Sequence, residues 1–150
     1  PTPPRCIASL APHAWYHGII DRVVAENRLC EHVALRRRNG NDVNGSWLLR
    51  AKPPPTHGEG EAYAISVAFR NRKEQRMMVE HHMIERAMRV DGTLGSHFLV
   101  NGQSHKLMKS KSILEIIRCL ETNADFSEIV STRPLVLLKY PCPCPGSTAY

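Results

Sequence analysis

The sequence predicts an α+β fold in which a central antiparallel sheet carries one helix on each face. Three observations predict it. Tyr63-Ala64-Ile65-Ser66-Val67-Ala68-Phe69 has the period-two pattern of a strand, and a charged hairpin over 70–76 leads to a second strand over 77–84. Ser112-x-x-Glu115 is a capping box, and the stripe Ile113, Ile116, Ile117, Leu120 behind it spells an amphipathic helix. The order of elements is helix, three or more antiparallel strands, helix and one last short strand.

Taken in order, residues 1–12 are proline-rich and read as an extended arm or linker. Asp21 is a plausible N-cap for a helix running to about Leu29 or beyond, with Ala25, Leu29 and Val33 on its inner face. Residues 36–42, Arg36-Arg37-Arg38-Asn39-Gly40-Asn41-Asp42, read as a basic, turn-rich loop. Trp47-Leu48-Leu49 is a strand that Pro53-Pro54-Pro55 must end. Phe98-Leu99-Val100 is a short strand closed by Asn101-Gly102, and 135–138 a final one. The folded domain is expected over 13–141, with 142–150 as a flexible tail, since Pro141-Cys142-Pro143-Cys144-Pro145 suits neither helix nor central strand.

A chain of 150 residues is most simply one domain with a real core. Apolar content of 42% and charged content of 23% are ordinary for a globular protein. No run approaches the roughly 18 apolar residues of a membrane span. The five scattered cysteines show no framework spacing and read as reduced cytoplasmic thiols. The first residue is Pro1 rather than Met, so an excised piece of a larger protein is expected. Twenty basic against 14 acidic residues give +6, which favours acidic partners: phosphate-bearing peptides, nucleic acid or acidic lipid.

Arg50 is the most informative residue. It ends Gly45-Ser46-Trp47-Leu48-Leu49-Arg50, an apolar run with the character of a buried strand. A guanidinium stays charged in proteins and is rarely buried unpaired, so Arg50 needs an anion, from the chain or from a ligand. The sequence offers no evident partner carboxylate but further basic residues nearby, which reads as an anion socket. Alternation puts Leu48 and Arg50 on one sheet face, Trp47 and Leu49 on the other. The planar fork of Arg50 then suits bidentate pairing with phosphate, at about 1.5–3 kcal/mol per charge-assisted bond.

Several blocks, in this order, resemble a Src homology 2 (SH2) domain over about residues 15–141. Trp-Tyr-His-Gly-x-Ile-x-Arg-x-x-Ala-Glu-x-x-Leu at 15–29 is similar to that family's first strand and helix. Residues 45–50 are similar to its phosphate-binding strand, and 62–67 and 79–84 to its next two strands. The ending at 134–141 is similar to domains of two-domain tyrosine phosphatases, inositol-phosphatase relatives and short lymphocyte adaptors.

The resemblance implies a non-catalytic module that binds phosphotyrosine, with Arg50 as main phosphate ligand. It implies a second contact from Arg22, which would reach phosphate and stack on the ring, and a pocket-shaping role for His81. Three positions depart from the family. Ala51 and Lys52 stand where an acidic or small residue and a phosphate-bonding serine are usual, leaving Lys52 as a point-charge substitute. The phosphate-gripping turn, usually rich in Ser and Thr, is Pro53-Pro54-Pro55-Thr56, so Thr56 and His57 are its only local replacements. Met83 replaces a lysine that packs on the ring. The groove for residues after the phosphotyrosine would be flanked by His82, on the face opposite His81, and gated by Asn101, Gly102, Gln103, Ser104 and the 122–131 loop.

Catalytic patterns are missing from the sequence: no Gly-x-Ser-x-Gly, no glycine loop with lysine, no phosphatase cysteine–arginine loop. His81-His82 and Cys142-x-Cys144 lack a tetrahedral ligand set, so neither metal nor cofactor is expected. The arginines 36–38 read as a solvated loop or as a weak contact with acidic lipid. The expected partners are tyrosine-phosphorylated peptides bound by a cytoplasmic monomer in signalling, with no small-molecule substrate. Two alternatives stand: a basic domain binding nucleic acid or another polyanion, and a degenerate SH2-like domain that no longer binds phosphate. Few aromatics, with Trp15 and Trp47 expected inside, count against base stacking.

Overall fold

The structure, a computed structural model, describes residues 10, 12–52, 62–71, 73, 75–88, 91–92, 94–102, 112–122 and 138–146. These form β1 (Tyr16–Ile19), α1 (Arg22–Arg38), β2 (Ser46–Ala51), β3 (Ala62–Asn71), β4 (Arg76–Met88), β5 (Leu94–Val100), α2 (Ile113–Thr122) and β6 (Tyr140–Pro141). The strands make one sheet in the order β1-β2-β3-β4-β5, with β6 also on β2. The pairs β2–β3, β3–β4 and β4–β5 are antiparallel, while β1 and β6 run parallel to β2. The fold is therefore the expected α+β arrangement, and it is compatible with the SH2-like architecture. No helix among the described residues is long and apolar enough to cross a membrane.

Alternation divides the sheet's side chains between two cores. Trp47, Leu49, Ala51, Tyr63, Ile65, Val67 and Ile84 pack with Ile113, Ile116, Ile117 and Leu120 of α2. The capping box holds the start of that helix: the Glu115 amide donates to Ser112 Oγ at 3.2 Å, and that hydroxyl donates to Glu115 Oε1 at 3.3 Å. Each of the four buried α2 side chains contributes about 1.5–3 kcal/mol of burial.

On the opposite face Ala25 and Leu29 of α1 pack on Leu48 and Cys142, and Val33 packs on Val43 and Ala68. Asp21 caps α1 as expected, its Oδ1 accepting from the Val24 amide at 2.8 Å.

Several boundaries differ from the sequence expectation. Arg36, Arg37 and Arg38 are the last turn of α1, not a loop. Basic side chains there favour the helix, because they face the negative end of its dipole. The stop comes one step later, where the amide of Gly40 (φ 73) donates to the Arg37 carbonyl at 3.0 Å. Arg36 is not solvated: its Nε donates to the Asp42 carbonyl at 2.7 Å, and its guanidinium carbon lies 3.9 Å from the centre of the Tyr140 ring.

The described final strand is Tyr140–Pro141, after rather than within 135–138, of which only Leu138 is described. It shares one edge of β2 with β1, β6 taking Ser46 and Trp47 and β1 taking Leu49 and Ala51. Pro141 is tolerated because the donors flank it: the Tyr140 amide bonds the Gly45 carbonyl at 3.2 Å and the Cys142 amide the Trp47 carbonyl at 2.7 Å.

Of the expected tail, residues 142–146 are described, and Cys142 and Cys144 are bonded to the rest of the domain. Cys142 is buried, and the Cys144 amide donates to the Ala14 carbonyl at 2.7 Å. His17 supplies the clamp: its Nε2 bonds the Cys142 carbonyl at 2.8 Å and its Nδ1 accepts from Arg28 at 2.9 Å. At the other end Leu10, assigned to the arm, is fully buried against the α2-side core. Trp15 is half-buried rather than inside, tilted against the buried Trp47 with ring centres 5.2 Å apart.

Candidate functional site

The register across β2, β3 and β4 builds the site. Arg50 lies opposite Ala64, and Ala64 opposite Met83; one row away Leu48, Ser66 and His81 are aligned in the same manner. The middle strand thus places small side chains, Ala64 and Ser66, between larger ones. That leaves a cleft of about 540 Å³ on the α1 face, lined by Ile19, Ile20, Asp21, Arg22, Arg50, Lys52, His81 and Met83.

Arg50 forms the base of this cleft and is only 5% exposed. Among the described residues its one protein bond is a long one, from Nη1 to the Ile20 carbonyl at 3.4 Å, and its Nε is buried with no acceptor. Among the described residues no carboxylate pairs with it. Burial, and secondarily the Arg22 charge, lowers its proton affinity from the ordinary value, while Asp21 and Glu26 oppose the shift. Asp21 is already committed to capping α1. The Arg50 guanidinium therefore retains, among the described residues, donors without a partner at a nearly buried position, where a hydrogen bond to an anion gains strength.

The neighbouring groups form a connected chain. The Ser66 hydroxyl, fully buried, contacts His81 Nδ1 at 2.7 Å. His81 Nε2 meets Glu26 Oε1 at 2.9 Å, and Arg22 Nε donates to that same oxygen at 3.2 Å. Burial holds His81 below its ordinary 6.5, against the Glu26 bond and helped by the Arg22 and Arg50 charges. Near neutral pH the ring is uncharged, so Nε2–H donates to Glu26 and Nδ1 accepts from Ser66. The His81 and Arg22 bonds in turn hold the Glu26 carboxyl below its ordinary range. His81 thus serves as a positioned neutral wall of the cleft, while Arg22, Arg50 and Lys52 supply its positive charge.

Five of the six expected phosphate-site residues, Arg50, Arg22, His81, Lys52 and Met83, line this one cleft. Thr56, with His57, lies outside the described residues, as do Gln103, Ser104 and nearly all of the 122–131 loop. The residues expected to read the peptide sit elsewhere. His82 projects to the α2 face and is buried, its Nε2 bonding Glu80 Oε2 at 3.1 Å and its Nδ1 meeting Asn101 Nδ2 at 3.1 Å. Asn101 also accepts the Met83 amide on its side-chain oxygen at 3.0 Å. The backbone at Asn101 (φ 51) and Gly102 (φ 79) is left-handed, which makes the exposed turn.

Asp21, Glu26, Ile19, Ile20 and Ser66 were not singled out from the sequence as site residues. Glu26 had a legible signal, since it stands four residues after Arg22 and so shares its helix face. Ser66 had none, because its pairing with His81 depends on strand register. Arg37 does not join the cleft; with Asn44, Arg70 and Met77 it lines a separate hollow of about 430 Å³ at the other end of β2. Among the described residues no three potential metal ligands gather. No protein-family model matches the chain and no curated protein matches it, so the reading of this cleft rests on its chemistry.

Proposed function

We propose that this chain is a non-catalytic module that recognises phosphotyrosine-containing peptides, as its resemblance to SH2 domains implies, within a larger signalling protein. The observation that carries the reading is Arg50: a nearly buried guanidinium with no carboxylate partner among the described residues, at the base of a cleft that also holds Arg22 and Lys52. A phosphoryl group adds about −1.5 to −2 charges and three acceptor oxygens to a tyrosine. Arg50 would take two of those oxygens side by side, Arg22 and Lys52 would close over the third, and Met83 and Ile20 would flank the ring. A phosphoserine, with its phosphate on a short stem, cannot reach the Arg50 donors from the cleft mouth. Such a reader would act in the cytoplasm, as a monomer, on tyrosine-phosphorylated proteins.

The test is a titration of the protein with a degenerate phosphotyrosine peptide library beside unphosphorylated and phosphoserine versions, with Arg50→Ala as control. Two charge-assisted bonds at about 1.5–3 kcal/mol each predict a loss of roughly two to four orders of magnitude in affinity for Arg50→Ala. Equal binding of all three libraries refutes the reading and leaves a general polyanion binder. Absence of binding to any of them leaves a degenerate domain.

A further inference from the structure

The carboxylate of Glu26 is the feature of the site that phosphate recognition does not require. It sits beside a cleft suited to anions, and it carries the same charge as the ligand. One oxygen, Oε1, accepts from both Arg22 Nε at 3.2 Å and His81 Nε2 at 2.9 Å. The Arg22 side chain is 69% exposed, so its bond to Glu26 is its one attachment among the described residues. His81, by contrast, is anchored from behind by Ser66.

From this geometry we infer that Glu26 is a resident counter-anion, a positioning residue that holds Arg22 and His81 in the free protein and gives up Arg22 to an incoming phosphate. The inference rests on the phosphotyrosine reading above and adds to it a built-in limit on affinity. An exposed i,i+4 pair stabilises weakly, so a dianion can take the arginine from it. The His81 bond, at a side chain only 8% exposed, stays and keeps Glu26 beside the site. The bound phosphate is then repelled by a fixed negative charge throughout the life of the complex.

Removing that charge acts in two ways, both in favour of binding. Arg22 no longer has a partner to leave, which is a small effect at an exposed pair. Relief of the repulsion acts on a doubly charged ligand in the adjoining cleft, and is larger. Glu26→Gln keeps an acceptor oxygen for His81 Nε2 and Arg22 Nε, so it isolates the charge.

The experiment is calorimetric titration of wild type, Glu26→Gln, Arg22→Ala and the double variant with an alanine-flanked phosphotyrosine peptide and with phenyl phosphate. Glu26→Gln should bind both tighter, by roughly 3- to 10-fold at low salt. In the Arg22→Ala background the gain should shrink, because there is no arginine left to release. A residue with a merely structural role would instead weaken binding when changed. Wild-type binding with an unchanged or weakened Glu26→Gln variant overturns the inference and leaves the phosphotyrosine reading intact. An undiminished gain in the Arg22→Ala background overturns the displacement of Arg22. No binding by wild type or Glu26→Gln overturns both readings. Glu26 is a surface residue of α1, and thermal melts of each variant verify folding.

Discussion

Replacing Arg50 by methionine should make the protein more stable while removing its phosphate ligand. Arg50 is 5% exposed, its Nε has no acceptor, and its only protein bond among the described residues spans 3.4 Å to the Ile20 carbonyl. A buried unsatisfied donor costs about 1–3 kcal/mol, and a bond of that length lies at the weak end of the usual ~0.5–1.5 kcal/mol. Methionine keeps the apolar stem against Leu48, Ala64 and Met83 and deletes both the orphan nitrogen and the charge. The difference is a net gain of about 1–2 kcal/mol. For a domain of 150 residues, at about 2–4 °C per kcal/mol, Tm should rise by about 2–8 °C. Differential scanning calorimetry of both proteins measures this directly. Repeating the scans with phenyl phosphate adds the second half of the prediction: the wild-type Tm climbs with ligand concentration, and the methionine variant does not move. A methionine variant of equal or lower stability would refute the reasoning, since it would show that Arg50 is satisfied by the folded chain itself.

Two further perturbations test the fold. Ser112→Ala removes the reciprocal bonds with Glu115 and should lower the unfolding free energy by about 0.5–2 kcal/mol, read as a shift of the urea midpoint at constant m; an unmoved midpoint would show that the start of α2 needs no cap. Stability should also fall on mild acidification, because His17, His32, His81 and His82 are all held below the ordinary 6.5, in each case first by burial. The unfolded chain binds protons that these rings refuse, so their contribution is complete above about pH 6.5 and is lost as pH drops toward the folded values. Each such ring contributes a slope of at most about 1.4 kcal/mol per pH unit. Urea unfolding at pH 7.5 and 5.5 should differ accordingly, and equal midpoints would contradict the assignment of neutral, partly buried rings.

Much of the fold could be read from local pattern. The inner face of α1, the α2 stripe and its capping box, and the alternation of β2 and β3 each depend on the spacing of side chains along one element, which sequence states outright. Boundaries were less legible where two local signals conflicted. Arg36-Arg37-Arg38 before Asn39-Gly40 reads as a loop by charge, yet as a helix end by dipole, and Gly40 is what stops the helix. The anchoring of Cys142 and Leu10 was not legible, since a buried cysteine among prolines and a leucine in a proline-rich arm acquire their surroundings from distant parts of the chain.

The sequence by itself determined that a permanently charged Arg50 stands near the end of a buried strand, because its charge and the apolar run before it are properties of that residue and its neighbours. It also determined the α+β order, which follows from periodicity alone. Only the tertiary structure decided that Arg22, Lys52, His81 and Met83 meet around Arg50, that Ala64 and Ser66 leave the room between them, and that the Glu26 carboxylate bonds Arg22 and His81 beside them. Those facts depend on strand register and on where α1 crosses the sheet. The second shows in the packing of Ala25 and Leu29 on Leu48 across the fold, a contact between residues that no local pattern links.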